Sequence, residues 1–158
     1  MHTDFIHPFV QAAVNVLRTM ASVAVQAGTP SAKPHAAMGQ GDISAVVGLT
    51  GPVNGSLAIS FSEKAICQIV SHMFGEPVTA INDEVRDAVG ELCNMISGDA
   101  RRLLAEQGYP LQAAIPTVIE GRGHRIRHVV AGPSVVVPFT LDGETAFCLE
   151  VCWDSEST

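Results

Sequence analysis

From Asp83 to Gly108 the chain reads DEVRDAVGELCNMISGDARRLLAEQG, and its apolar positions recur with the period of a helix. Advancing about 100° per residue from Val85, the residues Val89, Leu92, Ile96, Ala100 and Leu103 fall within about 60° of one direction, which predicts a buried stripe. On the far side Glu91 and Asn94, three residues apart, are neighbours facing solvent, with Asp87 and Gly98 beside them. Gly90, Gly98 and Asn94 are all poor helix-interior residues, each glycine costing about 1 kcal/mol relative to alanine. Weak helix formers gathered around an exposed polar pair mark a place where local stability yields to function, and a glycine there clears room for another molecule. Spacing alone also describes ordinary solvated residues and does not decide between the two.

Elsewhere the pattern alternates between helix and strand periods. Pro8 suits a first helical turn, and Phe9, Ala13, Val16, Leu17, Met20 and Ala24 follow at helical spacing, predicting a helix that ends near Gln26-Ala27-Gly28. Residues 28–41 are a loop by composition. Ile43, Ala45, Val47 and Leu49, then Leu57, Ile59 and Phe61 after the turn-rich Gly51 to Gly55, predict a hairpin with one buried face. Ser62 is the expected N-cap of a short helix carrying Ala65, Ile66, Ile69, Val70 and Met73, closed by Gly75 and Pro77. Gln112 to Ile115 and Thr117 to Glu120 read as short strands broken by Pro116 and followed by a Gly121-Arg122-Gly123 turn.

A second hairpin runs through Val135, Val137, Phe139 and Leu141, turns at Asp142-Gly143, and returns through Phe147, Leu149, Val151 and Trp153. Pro138 cannot donate to a ladder, which points to a sheet edge or a bulge. Val136-Val137-Pro138-Phe139-Thr140 echoes Val46-Val47-Gly48-Leu49-Thr50, as if a helix-plus-hairpin unit had been duplicated. Helices packed on one side of a mainly antiparallel sheet make an α+β fold, expected as a single domain over residues 1–158 with a frayed tail from Asp154.

Composition narrows the function. Hydrophobic residues make up 47% and charged residues 16%, which excludes disorder, while no apolar run approaches the roughly 20 residues of a membrane span. The N-terminus has no signal-peptide pattern, so a cytoplasmic protein is expected. A net charge of −7 argues against nucleic-acid binding. Arg101 and Arg102 lie on the solvent side beyond the Glu91–Asn94 pair, either as a basic rim for an acidic protein partner or as surface charge for solubility. Cys67, Cys93, Cys148 and Cys152 have no metal-ligand spacing, and Cys148 and Cys152, about 13 Å apart along a strand, are too far for a disulfide. His124 and His128 lie in a basic turn without a third ligand, so no metal site is expected. Nucleotide-binding glycine patterns and a serine elbow are absent from the sequence.

Glu91-Leu92-Cys93-Asn94, continued by Met95 to Asp99, resembles the E-x-x-N motif of the CheC/CheX/FliY phosphatases of bacterial chemotaxis. His7-Pro8-Phe9, Gly48-Leu49-Thr50-Gly51 leading into Asn54-Gly55-Ser56, and Ile119-Glu120-Gly121 resemble the CheX branch in the same order, over about residues 5 to 152. The resemblance implies a phosphatase for the aspartyl phosphate of a CheY-like response regulator. Asn94 would orient the attacking water, Glu91 would pair with the regulator's lysine, and Asp87, Gly98, Arg101 and Arg102 would meet the partner. It implies Mg²⁺ supplied by the regulator and no cofactor of its own, and a homodimer exchanging C-terminal strands. Two-site relatives carry a second motif on the first helix. Gln11-Ala12-Ala13-Val14 lacks both residues, so one site is expected. The other readings are a catalytically silent regulator-binding or dimerisation module and, third, a redox or metal module built on the cysteines.

Overall fold

The computed structural model describes residues 5–32, 41–126 and 134–154. Both predicted hairpins form. β3 (Gly41–Thr50) pairs with β4 (Gly55–Phe61), and β7 (Ser134–Leu141) pairs with β8 (Glu144–Trp153). The second turns at Asp142 and Gly143, both at positive φ as a two-residue hairpin requires. The hairpins join through their second strands, β4 beside β8, from Gly55↔Trp153 to Phe61↔Phe147. Odd-numbered residues of all four strands face the helices, and Phe61, Phe147 and Phe139 form an aromatic row across them, with the last two stacked at 4.6 Å between centroids. β4 is buried on both faces, not one, because its other side carries only the small residues Ser56, Ala58 and Ser60 in the middle of the sheet.

Three helices complete the α+β architecture. α1 (His7–Ala21) and α3 (Asp83–Glu106) pack on each other over the sheet, and α2 (Glu63–Phe74) lies at its end. Ser62 caps α2 as expected, its hydroxyl accepting from the Ala65 N–H, and Gly75 ends it in the left-handed region. α3 begins at Asn82, whose side chain accepts from the Val85 N–H. Its buried stripe closes on Leu104 rather than Leu103, a drift natural to a long helix over a twisted sheet.

The chain after each helix crosses to the opposite hairpin. β1 (Gln26–Ala27) and β2 (Ser31–Ala32) pair with β7, and β5 (Gln112–Ala113) and β6 (Thr117–His124) pair with β3. The registers repeat residue for residue. Gln26, Ala27, Ser31 and Ala32 lie 86 positions before Gln112, Ala113, Thr117 and Val118, while their partners Thr140, Phe139, Val136 and Val135 lie 90 positions after Thr50, Leu49, Val46 and Ala45. The short echo between the hairpins is therefore a structural equivalence, and the fold is a duplication with an approximate two-fold relation.

Several expectations are corrected. α1 stops at Ala21, where Ser22 adopts positive φ, and Val23 and Val25 are buried while Ala24 is exposed, a strand-like alternation that leads into β1. Residues 28–41 are not wholly loop, since they contain β2 and the start of β3; positions 33–40 lie outside the described residues. Gly121-Arg122-Gly123 does not end β6, which continues to His124. β8, the C-terminal strand, is paired on both sides within the chain, by β7 and β4. Asp154 is held, exchanging hydrogen bonds with the Asn54 backbone, and only 155–158 of the predicted tail fall outside the described residues. Pro138 meets its expectation through a register shift between Phe139 and Thr140.

Gly55 lies against β8 with no room for a side chain, since a Cβ there would meet the Cys152 carbonyl oxygen at 2.6 Å. Gly55→Ala should destabilise the protein by about 1–3 kcal/mol, read as a lower urea midpoint.

Candidate functional site

α3 brings the predicted pair together. Glu91 and Asn94 are exposed on its solvent face, and among the described residues no hydrogen bond or ion pair engages either of them or Asp87. The helix is held from behind by Val89, Leu92, Cys93 and Ile96, all buried. Cys93 separates the two polar residues in sequence but points into the core, where burial pushes its thiol up to about 12. It stays protonated near neutral pH and supplies no thiolate nucleophile. Burial, helped by Glu63, also raises the Cys67 thiol, which leaves the redox reading without a reactive group at either position.

The pair lines an open groove of about 440 Å³. Asp87, Gly90, Glu91 and Asn94 form the helix wall, and the β5–β6 connection, Ala113 to Val118, forms the other. Gly90 lines the groove and faces β6, where a Cβ would lie 3.4 Å from Val118 Cγ2, an ordinary contact. Arg86 closes one end, its guanidinium donating to both Glu120 carboxylate oxygens and to Asp83. Those bonds hold the Glu120 carboxyl below the usual range and raise the guanidinium above its own. Arg86 and the connection were not singled out in the sequence, although Arg86 stands five residues before Glu91 on the same helix and Glu120 lies in the motif after the helix.

The remaining predicted residues are more scattered. Gly98 leaves open space, with Arg101 Nη2 at 3.9 Å the nearest atom to a built Cβ. Arg101 lies on the line of Asn94 about 10 Å further along the helix, its Nε donating to Ser97 Oγ at 3.4 Å. Arg102 is paired to Asp99 and Glu106 on its own helix, so its charge is largely answered locally. His124 has both ring nitrogens engaged, by Ser44 Oγ and the Gly121 carbonyl, and His128 lies outside the described residues. Among the described residues no group of three or more His, Cys, Asp or Glu side chains could hold a metal ion. No helix there is long and apolar enough to cross a membrane.

The first-half counterpart of the pair is not at 11–14. Buried Phe5, Ile6, Phe9, Ala13 and Leu17 recur 87 positions on as Leu92, Cys93, Ile96, Ala100 and Leu104, and Leu17 and Leu104 carbonyls both accept from the chain beyond the helix. Asn94 therefore corresponds to His7, and Glu91 to position 4, outside the described residues.

The groove is open to solvent, unlike the enclosed cavities that bury most of a small ligand. The family model described as "Chemotaxis phosphatase CheX" matches residues 43–140, and the chain belongs to that family. It is 28% identical over 152 residues to the CheY-P phosphatase CheX of Thermotoga maritima, covering 96% of each chain. The crystal structure of chemotaxis protein CheX from Vibrio vulnificus matches with a TM-score of 0.91 and 37% identity, over 96% of this chain and 100% of that one. The CheX–CheY–BeF3–Mg²⁺ complex from Borrelia burgdorferi matches with a TM-score of 0.81 and 27% identity, over 98% and 100%.

The Gly90 contact makes a graded prediction. Gly90→Ala, which adds an ordinary contact and a better helix former, should raise stability by up to about 1 kcal/mol. Gly90→Leu should lower it by about 1–3 kcal/mol by forcing β6 away from α3, read in thermal unfolding.

Proposed function

We propose that this chain hydrolyses the aspartyl phosphate of a CheY-like response regulator, with Asn94 orienting the attacking water and Glu91 pairing with the regulator's lysine. The observation that carries the reading is a carboxylate and a carboxamide, both exposed and without partners among the described residues, side by side on a rigid helix in an open groove. Family membership and the regulator in the Borrelia burgdorferi complex support the choice of substrate.

Phosphoryl transfer to water needs an aligned nucleophile and charge stabilisation more than covalent participation. The Asn94 carboxamide offers two donors and an acceptor, enough to hold a water in line with phosphorus once a regulator is docked. The water oxygen bonds to phosphorus as the bond to the regulator's aspartate oxygen breaks. Inorganic phosphate leaves, and the aspartate is regenerated as a carboxylate. Mg²⁺ belongs to the regulator in this scheme, as in a complex that contains BeF3 and Mg²⁺ along with CheY. Asp87, Gly98, Arg101 and Arg102 flank the pair as partner-facing surface. The assembly is read as a homodimer, since the exposed strand β6 has an outer edge that pairs with no strand among the described residues.

Asn94→Ala should abolish acceleration of regulator dephosphorylation, by about a hundredfold or more, with thermal stability and regulator binding unchanged. A variant that keeps full activity would remove the proposal. Glu91→Ala should weaken binding as well as rate, and binding equal to the parent would count against its pairing role. Regulator binding by the parent with no acceleration of phosphate decay would select the silent binding module instead.

A further inference from the structure

The two copies of the post-helix connection differ at one telling position. Gln26-Ala27-Gly28-Thr29-Pro30 and Gln112-Ala113-Ala114-Ile115-Pro116 occupy equivalent places 86 residues apart, in identical register against β7 and β3. Their backbones are held alike, the Gly28 N–H donating to the Pro138 carbonyl and the Ala114 N–H to the Gly48 carbonyl. Three of the five residues are identical, and a fourth exchanges glycine for alanine. The remaining position is exposed threonine in the first copy and isoleucine in the second.

Ile115 is 89% exposed, against 36–43% for every other exposed large hydrophobic residue described. Its fold does not demand an apolar side chain there, because the sister connection makes the same turn and the same hydrogen bond with threonine. A solvated isoleucine gains nothing in the free protein and stabilises whatever complex covers it. It stands on the wall of the groove that holds Glu91 and Asn94.

We propose that Ile115 is the apolar anchor that docks the phosphorylated regulator, an inference that rests on the function proposed above. The occupant is the regulator's receiver domain, presenting an apolar side chain to Ile115 next to the basic side chain that meets Asp87 and Glu91. Those two carboxylates have no cation partner among the described residues, so the groove offers negative charge on the helix wall and apolar surface on the other. Ile115 thereby sets affinity and regulator choice, while Asn94 sets the chemical step.

The test substitutes the residue of the sister connection. Ile115→Thr should bind receiver domains carrying beryllofluoride and Mg²⁺ about tenfold more weakly or worse, and should raise KM for phosphorylated regulator to match. The kcat at saturating regulator should stay unchanged, and Ile115→Leu should restore binding to within about threefold. Unchanged affinity in Ile115→Thr overturns the inference, as does a fall in kcat at constant KM. A change in self-association on sedimentation without loss of regulator binding would assign Ile115 to a second copy of this chain and overturn it too. The two proposals fail separately. Loss of hydrolysis in Asn94→Ala with full binding by Ile115→Thr removes only the anchor, whereas binding that depends on Ile115 without acceleration of phosphate decay removes only the catalysis.

Discussion

The ladder between β4 and β8 is the constraint on which the rest of the molecule depends. Its seven cross-strand pairs are centred on Ala58 and Glu150, which puts the two hairpins in approximate two-fold relation across the middle of one sheet. Neither half is self-sufficient. Each sends the segment after its helix across the molecule to cover the outer strand of the other half's hairpin, β1 and β2 on β7 and β5 and β6 on β3. An unpaired outer strand would leave a row of backbone donors and acceptors to solvent or to another chain, so the exchange satisfies both halves at once. With the sheet fixed this way, α1 and α3 have one place to bury their apolar stripes, against each other and the odd-numbered side chains beneath.

Duplication also explains where the site can be. α1 starts at His7, the counterpart of Asn94, whereas α3 starts at Asp83, capped by Asn82. Among the described residues, the turns from Asp83 to Glu91 run ahead of the part of α3 that matches α1. They supply the frame that holds Glu91 one turn before Asn94, and they carry Arg86, whose bond to Glu120 ties this stretch to β6. Gly90, in the same stretch, lies beside Val118 of β6. The groove gathers features of the second copy: the Asp83–Glu91 turns, a glycine contact, an ion pair and an isoleucine where the sister loop has threonine.

Much of this was legible in the chain, for identifiable reasons. Period-two alternation located the four strands of the two hairpins, because strands with a buried face leave no freedom in which residues point inward. Ser62 and Gly75 marked α2 through caps whose chemistry is local. The Glu91–Asn94 face followed from helix geometry and gained its meaning only through the resemblance to a family. The misreadings share a cause. Gln26-Ala27, Ser31-Ala32 and the Gly121–Gly123 stretch lack strand propensity and become strands because β7 and β3 offer them partners distant in sequence. The same long-range pairing hid the closest internal repeat, Gln-Ala-x-x-Pro after each helix, which a search for self-similarity at one fixed spacing would have found.

An exposed pair of ordinary residues can carry catalysis only if solvent is removed when it acts. In the free protein, water competes for the Asn94 amide and the Glu91 carboxylate, and neither is held by a neighbour described here, so neither has much power alone. On the proposed function, covering the groove would change both facts together: the dielectric would fall, and a water held by Asn94 would lose its alternatives. The helix beneath needs no movement to achieve this, since Leu92, Cys93 and Ile96 already fix its rotation against the core. On the proposed function the protein would supply rigidity and two aimed groups, and the partner the enclosure. On that reading such a site would stay idle without its partner, and the affinity of docking would directly control the lifetime of the phosphate.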